Sequence, residues 1–560
     1  MKTRLILISI LIVLLTACGG AATTTPAPIV PPSPIAPTLP AETPTPSGPL
    51  PTPVSPVIGL PQGTDGYPWW NDSVFYEIFV RSYADSNGDG IGDLNGLISK
   101  LDYLKNLGIT GLWLMPIQPS PSYHGYDVTD YYGVNPQYGT TDDFKRLMSE
   151  AHARGIRVII DFVLNHTSDQ HPWFEAARDP QSPFRDWYVW SKTDPGQSGW
   201  RVAGSGFYYG YFTENMPDLN YRTPEVTEKM NDVVRFWLQD MGVDGFRLDA
   251  AKYLIEDGTS VQNTEATHAW YKNFRPIYTA LNPQALTIGE VWDLTSTASE
   301  YAQGDQLDLT FDFDLAKAFI LAARTGRAAE AVNALNVSLA NFKPLQFGTF
   351  LTNHDQNRVM SQIGANLDKA KVGALLYLTA PGVPFVYYGE EIAMSGKKPD
   401  EDIRTPMQWS NEENGGFTTG RPWRAVNADY KERNVSAQID NPDSVLALYR
   451  HLIRVRNQHA ALRVGDFTAI KASHASVFAS LRVSKEEAVL VIINLGKDPV
   501  KDLALNLDKS SLAAGDYRAV PLFGDGPLAN LTVTDQGGFA KYQPLSSLPG
   551  FSGVIVQLQK

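Results

Sequence analysis

Cysteine is almost absent from this sequence, since Cys18 is the only one among 560 residues. A single cysteine excludes a disulfide bond within the chain, and no zinc-like spacing of Cys and His occurs. Basic tracts are also absent and the net charge is −13, which argues against nucleic acid as a partner. A chain of this length should fold into more than one domain. The charge balance suits an enzyme that acts on a neutral substrate.

The N-terminal segment has the pattern of an export signal. Lys2 and Arg4 precede an apolar run that is too short for a comfortable membrane span. The sequence Leu-Thr-Ala-Cys ending at Cys18 resembles a bacterial lipobox, in which the cysteine is lipidated; a plain signal peptide with a chance cysteine is the alternative. We therefore predict a lipoprotein signal peptide over 1–18 and a disordered Pro/Thr-rich linker over 19–63. The protein would then be extracytoplasmic, anchored by lipid to a bacterial membrane or cell surface.

Eight short apolar runs, separated by helical patterns, follow the linker. Such runs are typical of buried parallel strands, and they predict an α/β fold, a (β/α)8 TIM barrel. Any single run could be a buried helix segment, but eight in sequence favour the barrel. The predicted strands are VFYEIFV (74–80), GITGLWLMP (108–116), IRVIIDFVLNH (156–166), GFRLDA (245–250), LTIGEV (286–291), LDLTFDF (307–313), FGTFLTN (347–353) and VPFVYYGEE (383–391).

The remaining sequence divides around this barrel. We predict barrel segments over 64–166 and 223–462, with a small subdomain rich in aromatic residues inserted after the third strand over 167–222. After about Arg463, short strand patterns separated by turn residues predict a C-terminal antiparallel β-sandwich over 463–560.

Four carboxylates fall at the ends of predicted strands: Asp161, Asp249, Glu290 and Asp355. A strand and its return helix take roughly 30 to 40 residues in such a barrel, so the spacing places Asp249 and Glu290 on adjacent strands. Hydrolysis of a glycosidic bond with retention needs a nucleophilic carboxylate and a protonated carboxyl roughly 5 Å apart. Arg247 would point to the same side as Asp249 and hold it ionised. An ordinary ion pair inside the barrel is the alternative interpretation of these two residues.

The segments DFVLNH, GFRLDAAKY, GEVW and NHD, in this order, resemble the α-amylase family of glycoside hydrolases, family 13. The resemblance implies that Asp249 is the nucleophile, Glu290 the general acid/base and Asp355 the carboxylate that binds and distorts the sugar, with Asp161 in support. It also implies a set of substrate-binding residues: Tyr126, His124, Asp127, His166, Arg247, Lys252, His354 and Arg404.

A loop after the first predicted strand has oxygen-bearing side chains at alternate positions, as a calcium loop requires. It resembles the metal loop of oligosaccharide-active members of the family, with Asp85, Asn87, Asp89, the Ile91 carbonyl and Asp93 as ligands. A metal-free loop of Asx turns is the alternative. The family's second calcium site would use Asn165, but Tyr253 replaces its usual histidine, so the sequence departs from the family pattern at that site.

The activity implied by the resemblance is an α-amylase that cuts internal α-1,4 bonds of starch, glycogen or maltooligosaccharides. MPDLN at 216–220 resembles an intermediate group that contains secreted and lipid-anchored α-amylases. RTPMQW at 404–409, with Asp127, instead resembles exo-acting α-glucosidases and oligo-1,6-glucosidases, and transglycosylating variants belong with this alternative. A non-catalytic glucan-binding protein is a third reading, but it should lack a catalytic carboxylate. We expect a monomer that binds calcium.

Overall fold

The computed structural model describes residues 59–560. The predicted signal peptide, the lipidation of Cys18 and nearly all of the predicted linker lie outside the described residues. No helix in residues 59–560 has the length and apolar character needed to cross a membrane.

Eight parallel strands form the barrel, and each lies within one of the eight predicted runs. Their bounds are Phe75–Ile78, Gly111–Leu114, Arg157–Phe162, Gly245–Leu248, Leu286–Gly289, Leu309–Thr310, Gly348–Thr349 and Val383–Tyr387. Each strand pairs with the next along the chain, the eighth pairs with the first, and the sixth and seventh meet through a parallel bridge between Phe311 and Gly348. The sheet therefore closes, and the predicted fold class is confirmed.

Helices surround the strands, and local sequence explains where several of them begin and end. Thr140 caps Thr141–Ala153 through a reciprocal pair of hydrogen bonds with Asp143. The principal helices of the outer layer are Leu94–Ser99, Leu101–Leu107, Thr141–Ala153, Pro224–Arg235, Glu265–Leu281, Thr295–Glu300, Phe313–Thr325, Ala328–Asn341, Leu367–Thr379 and Val445–Gln458. Shorter helices lie at Pro172–Ala177, Val359–Gln362, Asp400–Ile403, Val435–Gln438 and Ala460–Val464.

The barrel interior is packed with aromatic and branched side chains. Phe75 stacks on Phe385 with ring centroids 4.6 Å apart, and Trp113 lies 5.3 Å from Phe311. These residues belong to an inner cluster that is separate from the larger core between strands and helices. The filled interior leaves the carboxyl ends of the strands as the face on which a site can be built.

The insertion after the third strand contains a three-stranded antiparallel sheet, Trp190–Ser191, Trp200–Ala203 and Gly206–Tyr209. Its aromatic residues pack largely on one another; Phe174, for example, contacts Tyr188, Trp190 and Tyr208. These contacts make Phe174 and its neighbours part of the apolar core of the insertion.

The C-terminal region is built from antiparallel sheets. The largest has six strands in the spatial order Asp466–Ala469, Val477–Val483, Ala488–Asn494, Ser552–Gln559, Gly515–Phe523 and Leu531–Val533. A second sheet contains Lys471–Ala472, Leu505–Leu507 and Phe539–Tyr542, and a third contains Val500–Lys501 and Ser547–Leu548. The sheets enclose their own apolar core, as expected for a sandwich.

Candidate active site

Asp249 and Glu290 meet at a single guanidinium. Arg247 lies in the fourth barrel strand, Asp249 directly follows that strand, and Glu290 directly follows the fifth. Arg247 Nη1 is 2.7 Å from Asp249 Oδ1, and Arg247 Nη2 is 2.9 Å from Glu290 Oε2. The structure therefore brings together the two carboxyls that the sequence placed on adjacent strands.

Ala250, next to Asp249, has a strained backbone. Its φ of 48° and ψ of 35° lie in the left-handed region, which a residue with a Cβ rarely adopts. In this conformation the Ala250 backbone N–H donates to Glu290 Oε2 at 3.1 Å. The turn after the fourth strand thus fixes the second carboxyl as well as carrying the first.

Asp161 completes the inner side of this cluster. It is fully buried at the end of the third strand, and its two oxygens accept hydrogen bonds from Arg247 Nη1 at 2.8 and 3.0 Å. The Tyr126 hydroxyl also donates to it, at 3.0 Å. Asp161 thus contacts Arg247 and Tyr126, and its supporting role stays a prediction.

Asp355 lies in a second set of charges on the opposite side of the barrel mouth. Arg404 Nη2 donates to Asp355 Oδ1 at 2.8 Å, and His354 Nε2 lies 3.2 Å from Asp355 Oδ2. Arg404 Nε also donates to the His354 carbonyl at 2.9 Å. Arg404 is only 3% exposed, so it forms part of the wall behind Asp355.

The loop after the second strand supplies an aromatic platform. The Tyr126 ring is nearly parallel to His354, with centroids 5.6 Å apart, and its hydroxyl is 2.6 Å from His354 Nε2. His124 Nδ1 accepts from the Tyr126 backbone N–H at 3.1 Å and lies 3.9 Å from Asp127. Asp127 accepts hydrogen bonds from Ser120 and Ser122. Among residues 59–560, Arg404 pairs with Asp355 and Asp400 and is not in direct contact with Asp127.

His166 and Lys252 lie on two further elements of the site. The His166 ring is buried at the end of the third strand, and its Nε2 has no hydrogen-bond partner within the described part of the chain. Burial lowers the pKa of His166 to about 3, so the ring is neutral. Lys252 Nζ donates to the Trp292 carbonyl at 2.7 Å and to Asp293 at 3.2 Å.

The three carboxyls predicted to be catalytic have different pKa shifts. Burial raises the pKa of Asp249 to about 6 and outweighs the lowering effect of Arg247. Burial also raises the pKa of Glu290, with a further rise from the charge of Asp249. For Asp355 burial acts in the same direction, but His354 and Arg404 outweigh it and hold the pKa well below its usual value. Arg247 therefore offsets only part of the effect of burial on Asp249, whose pKa of about 6 still leaves the carboxyl mostly ionised at neutral pH.

Sequence reasoning missed Glu77, in the first barrel strand. Glu77 is 1% exposed, and His354 Nδ1 donates to Glu77 Oε1 at 2.5 Å. One signal was present, because Glu77 is the only charged residue in the run VFYEIFV. A charge in a strand buried on both faces requires a partner, but sequence gives no way to find a partner 277 residues away.

The predicted calcium loop has oxygen donors of the kind that calcium prefers, from carboxylates, one amide and one carbonyl. Here these side chains accept hydrogen bonds within their own loop; Asp85, for example, accepts from the backbone N–H of Asn87, Gly88 and Gly90 at 2.8 to 2.9 Å. In residues 59–560 no three His, Cys, Asp or Glu side chains are grouped as metal ligands. The donor chemistry fits calcium, and the side chains would have to turn toward the ion.

Two buried oxygens lie where the family's second calcium site would be. Asn165 Oδ1 and Asp218 Oδ2 are buried and have no hydrogen-bond partner among the described residues. Burial raises the pKa of Asp218, and nearby Glu256 raises it further. Both oxygens are donors of the kind that calcium binds.

Comparison with known proteins finds relatives that match most of this chain. The model of the α-amylase catalytic domain matches residues 77–465. Alpha-amylase 3 of Dictyoglomus thermophilum is 40% identical over 77% of this chain and 86% of its own length, and the trehalose synthase/amylase of Mycolicibacterium smegmatis is 38% identical over 80% and 87%. The crystal structure of the alpha-amylase from H. orenii superposes with a TM-score of 0.76 at 39% identity, covering 87% of this chain and 99% of that one.

Proposed function

The chain belongs to the α-amylase family of glycoside hydrolases, and on that premise we propose that it is a retaining α-amylase. It would cleave internal α-1,4-glucosidic bonds of starch, glycogen and maltooligosaccharides. The meeting of Asp249 and Glu290 at one guanidinium supports this proposal most directly, because double displacement needs two carboxyls at one bond. The similarity to two α-amylases over most of the chain supports the α-1,4 specificity.

In the first step the Asp249 carboxylate attacks the anomeric carbon while the bond to the leaving oxygen breaks. Glu290 gives its proton to that oxygen, and a glycosyl ester forms on Asp249. In the second step Glu290 takes a proton from water, the water oxygen attacks the anomeric carbon, and the ester bond breaks. The raised pKa of Glu290 suits the first role, because the acid must be protonated before each cycle.

Asp355 would stabilise the positive charge that develops on the sugar ring, since its lowered pKa keeps it ionised. Tyr126 would stack beneath the same sugar, with His124 beside it. We assign contacts with that sugar to Arg247, His166 and His354 as well, and the leaving-group side to Lys252.

The first test is the time course of products from soluble starch and reduced maltoheptaose, with Asp249→Asn as the matched inactive control. Early mixed maltooligosaccharides, absent with the control, are the expected result. Release of glucose alone from the start would contradict internal cleavage. An unchanged product pattern with Asp249→Asn would contradict the assignment of the nucleophile.

A second candidate is an exo-acting α-glucosidase or oligo-1,6-glucosidase, or a transglycosylase, on short maltooligosaccharides. The resemblance of RTPMQW to such enzymes favours it, and the Arg404 guanidinium of that motif is bonded to Asp355. Similarity to a trehalose synthase/amylase supports the transferring variant. Incubation with maltose distinguishes the candidates, since transfer gives new disaccharides and exo-hydrolysis gives glucose only.

We also propose calcium in the loop that contains Asp85, Asn87, Asp89, Ile91 and Asp93. The loop packs on the segment that carries Trp423, whose backbone N–H donates to the Gly90 carbonyl at 2.9 Å, so the ion would stabilise structure beside the site. Calorimetric titration of chelator-treated protein should give saturable calcium binding, and Asp89→Ala should remove one bound calcium per chain. A stoichiometry of two per chain would add the place near Asn165 and Asp218, and no binding would overturn the assignment.

The cellular placement is a separate proposal that follows from the sequence around Cys18. Lipidation of Cys18 would hold the enzyme outside the cytoplasm on a bacterial membrane or cell surface. Fractionation of a bacterial host that produces the full chain tests it, since Cys18→Ala should move the protein from the membrane to the soluble fraction. Light scattering of a soluble form tests the expected monomer.

A further inference from the structure

Glu77 is a buried charge inside the barrel. Phe75, two residues earlier, belongs to the inner cluster, while Tyr76 and Ile78 belong to the core between strands and helices. Because side chains alternate along a strand, Glu77 points to the same side as Phe75. Its neighbours in register are Trp113 and Tyr387, so its side chain lies among aromatic residues.

The carboxylate of Glu77 is bound by one residue on another strand end. His354 Nδ1 donates to Glu77 Oε1 at 2.5 Å, and the His354 backbone N–H donates to the same oxygen at 3.3 Å. Both ring and backbone are thereby fixed. A buried carboxylate that loses its partner is unfavourable, so the two residues depend on each other.

The other ring nitrogen of His354 also faces acceptors. His354 Nε2 is 3.2 Å from Asp355 Oδ2 and 2.6 Å from the Tyr126 hydroxyl. That hydroxyl donates its own proton to Asp161 at 3.0 Å, which leaves its oxygen to accept from His354. A neutral ring with its proton on Nδ1 would instead point a lone pair from Nε2 at Asp355. Acceptors on both sides therefore require a proton on both nitrogens.

We propose that Glu77 is a positioning residue, which keeps His354 doubly protonated and directed at Asp355. Glu77 makes no contact with the substrate in this role. It acts through His354, whose second N–H bond and positive charge hold the Asp355 carboxylate ionised and in one orientation. The consequence for catalysis rests on the proposed function, because there the ionised Asp355 would stabilise the positive charge that develops on the sugar.

The charges around His354 come from several elements. Glu77 lies on the first strand, Asp161 on the third, and Asp355 on the same loop as His354; these three favour the protonated ring. Arg404 donates to the His354 carbonyl, and Arg247 lies beyond Asp161; these two oppose it. Burial lowers the pKa of His354, but Asp355 and Glu77 outweigh burial and raise it to about 9.

Glu77→Gln tests the proposal, because the amide keeps the shape and removes the charge. The substrate is 4-nitrophenyl maltotrioside, whose leaving group needs little protonation, so that titration of Glu290 contributes little to the alkaline limb. The alkaline limb of kcat against pH should move down by about one unit or more, and kcat should fall more than KM changes. Glu390→Gln is the matched control, another buried glutamate, and it should leave the limb in place.

Histidine titration by NMR gives a readout that does not depend on activity. With ¹⁵N-histidine label, and His354→Gln to assign the signal, both nitrogens of His354 should remain protonated from pH 6 to about 9 in the unmodified chain. Glu77→Gln should lower that midpoint. If the chain cleaves no maltooligosaccharide, the proposed function fails, yet this titration still tests Glu77.

Two results would overturn the proposal. One is a His354 ring that is neutral at pH 7 in the unmodified protein, a measurement that needs no variant and so does not depend on whether Glu77→Gln folds. The other is a folded Glu77→Gln chain with an unchanged His354 titration and an unchanged alkaline limb.

Discussion

Two groups of carboxyls at the C-terminal ends of the barrel strands have different partners. At the strand ends, Asp161, Asp249 and Glu290 share the Arg247 guanidinium, and Asp355 contacts Arg404 and His354. After the eighth strand, Glu390 and Glu391 are more deeply buried than Glu290 and Asp355, with exposures of 3% and 0%, and their hydrogen-bond donors are tyrosine hydroxyls. We name these groups the cation-paired cluster and the tyrosine-bonded pair.

In the tyrosine-bonded pair, one oxygen of each glutamate accepts hydrogen bonds from two tyrosine hydroxyls. Glu390 Oε1 accepts from Tyr377 and Tyr449 at 2.9 and 2.8 Å, and its Oε2 has no partner among residues 59–560. Glu391 Oε1 accepts from two other tyrosines, at 2.8 and 2.6 Å. Burial raises the pKa of Glu390 to about 8, so at neutral pH it is mostly a neutral acid that ties helices to the eighth strand.

The comparison teaches that burial alone does not make a carboxyl catalytic. Glu290 and Asp355 are partly exposed and the tyrosine-bonded pair is not, and only the cation-paired cluster has guanidinium and imidazole groups that compensate the charge of its carboxylates. Hydroxyl donors stabilise a buried carboxyl without supplying charge. Changes in the cluster should therefore affect activity, and changes in the pair should affect stability.

The largest effect is expected for Asp249→Asn. Loss of the nucleophile should lower kcat on maltoheptaose on the order of 10⁴-fold or more, because no ester can form. The thermal midpoint should stay the same or rise, since the change removes a buried charge. Steady-state kinetics and calorimetry check both. Glu390→Gln, measured alongside, should keep kcat within about threefold, and equal losses in the two variants would remove the distinction between the regions.

Arg247→Leu should lower both activity and stability. It leaves Asp161 buried without its cation, which costs about 3 to 5 kcal/mol of unfolding free energy. The double variant Arg247→Leu with Asp161→Leu removes the unpaired charge and should regain part of that stability while staying inactive. Denaturant unfolding measures the difference. Equal stability of the single and double variants would show that Arg247 does not neutralise Asp161.

Glu390→Gln should change how stability depends on pH. The pKa of Glu390 is raised from about 4.5 to about 8 on folding, so its protonation contributes stability that is fully present below pH 4.5 and is lost as the pH rises through about 8. A glutamine does not titrate, so the variant does not lose stability in this way as the pH rises. Its unfolding free energy relative to the unmodified protein should rise between pH 5 and 8.5 on the order of 3 kcal/mol, and a difference that stays constant over this range would contradict the prediction.

The smallest effect is expected for Tyr449→Phe. It removes one of the two hydroxyls on Glu390 and should lower the unfolding free energy by about 1 kcal/mol with little change in kcat. Tyr126→Phe deletes the same atom in the cation-paired cluster, between Asp161 and His354, and should lower kcat more than stability. The same denaturation and kinetic assays serve both variants. A larger loss of kcat in Tyr449→Phe than in Tyr126→Phe would contradict the comparison.

Much of the fold could be predicted from local patterns. The eight strands were recognisable because short apolar runs alternate with helical segments, and the carboxylates stood out because Asp249 and Glu290 come directly where strands end. The limits of the strands were less accurate: GITGLWLMP spans 108–116, but only Gly111–Leu114 is paired. Flanking apolar residues are buried for reasons other than strand pairing, so hydrophobicity alone extends the prediction.

The sequence by itself determined the order of elements, the strand ends that carry carboxylates and the family resemblance. Each of these depends on residues that are close together in the sequence and on the spacing of short motifs. Only the tertiary structure decided which charges meet. Glu77 contacts His354, Arg404 contacts Asp355, and Glu390 contacts Tyr449, although the partners are far apart in the sequence. Protonation states follow from burial and from charged or polar groups within a few ångströms. Closure of the sheet into a barrel, not local sequence, brings those groups together.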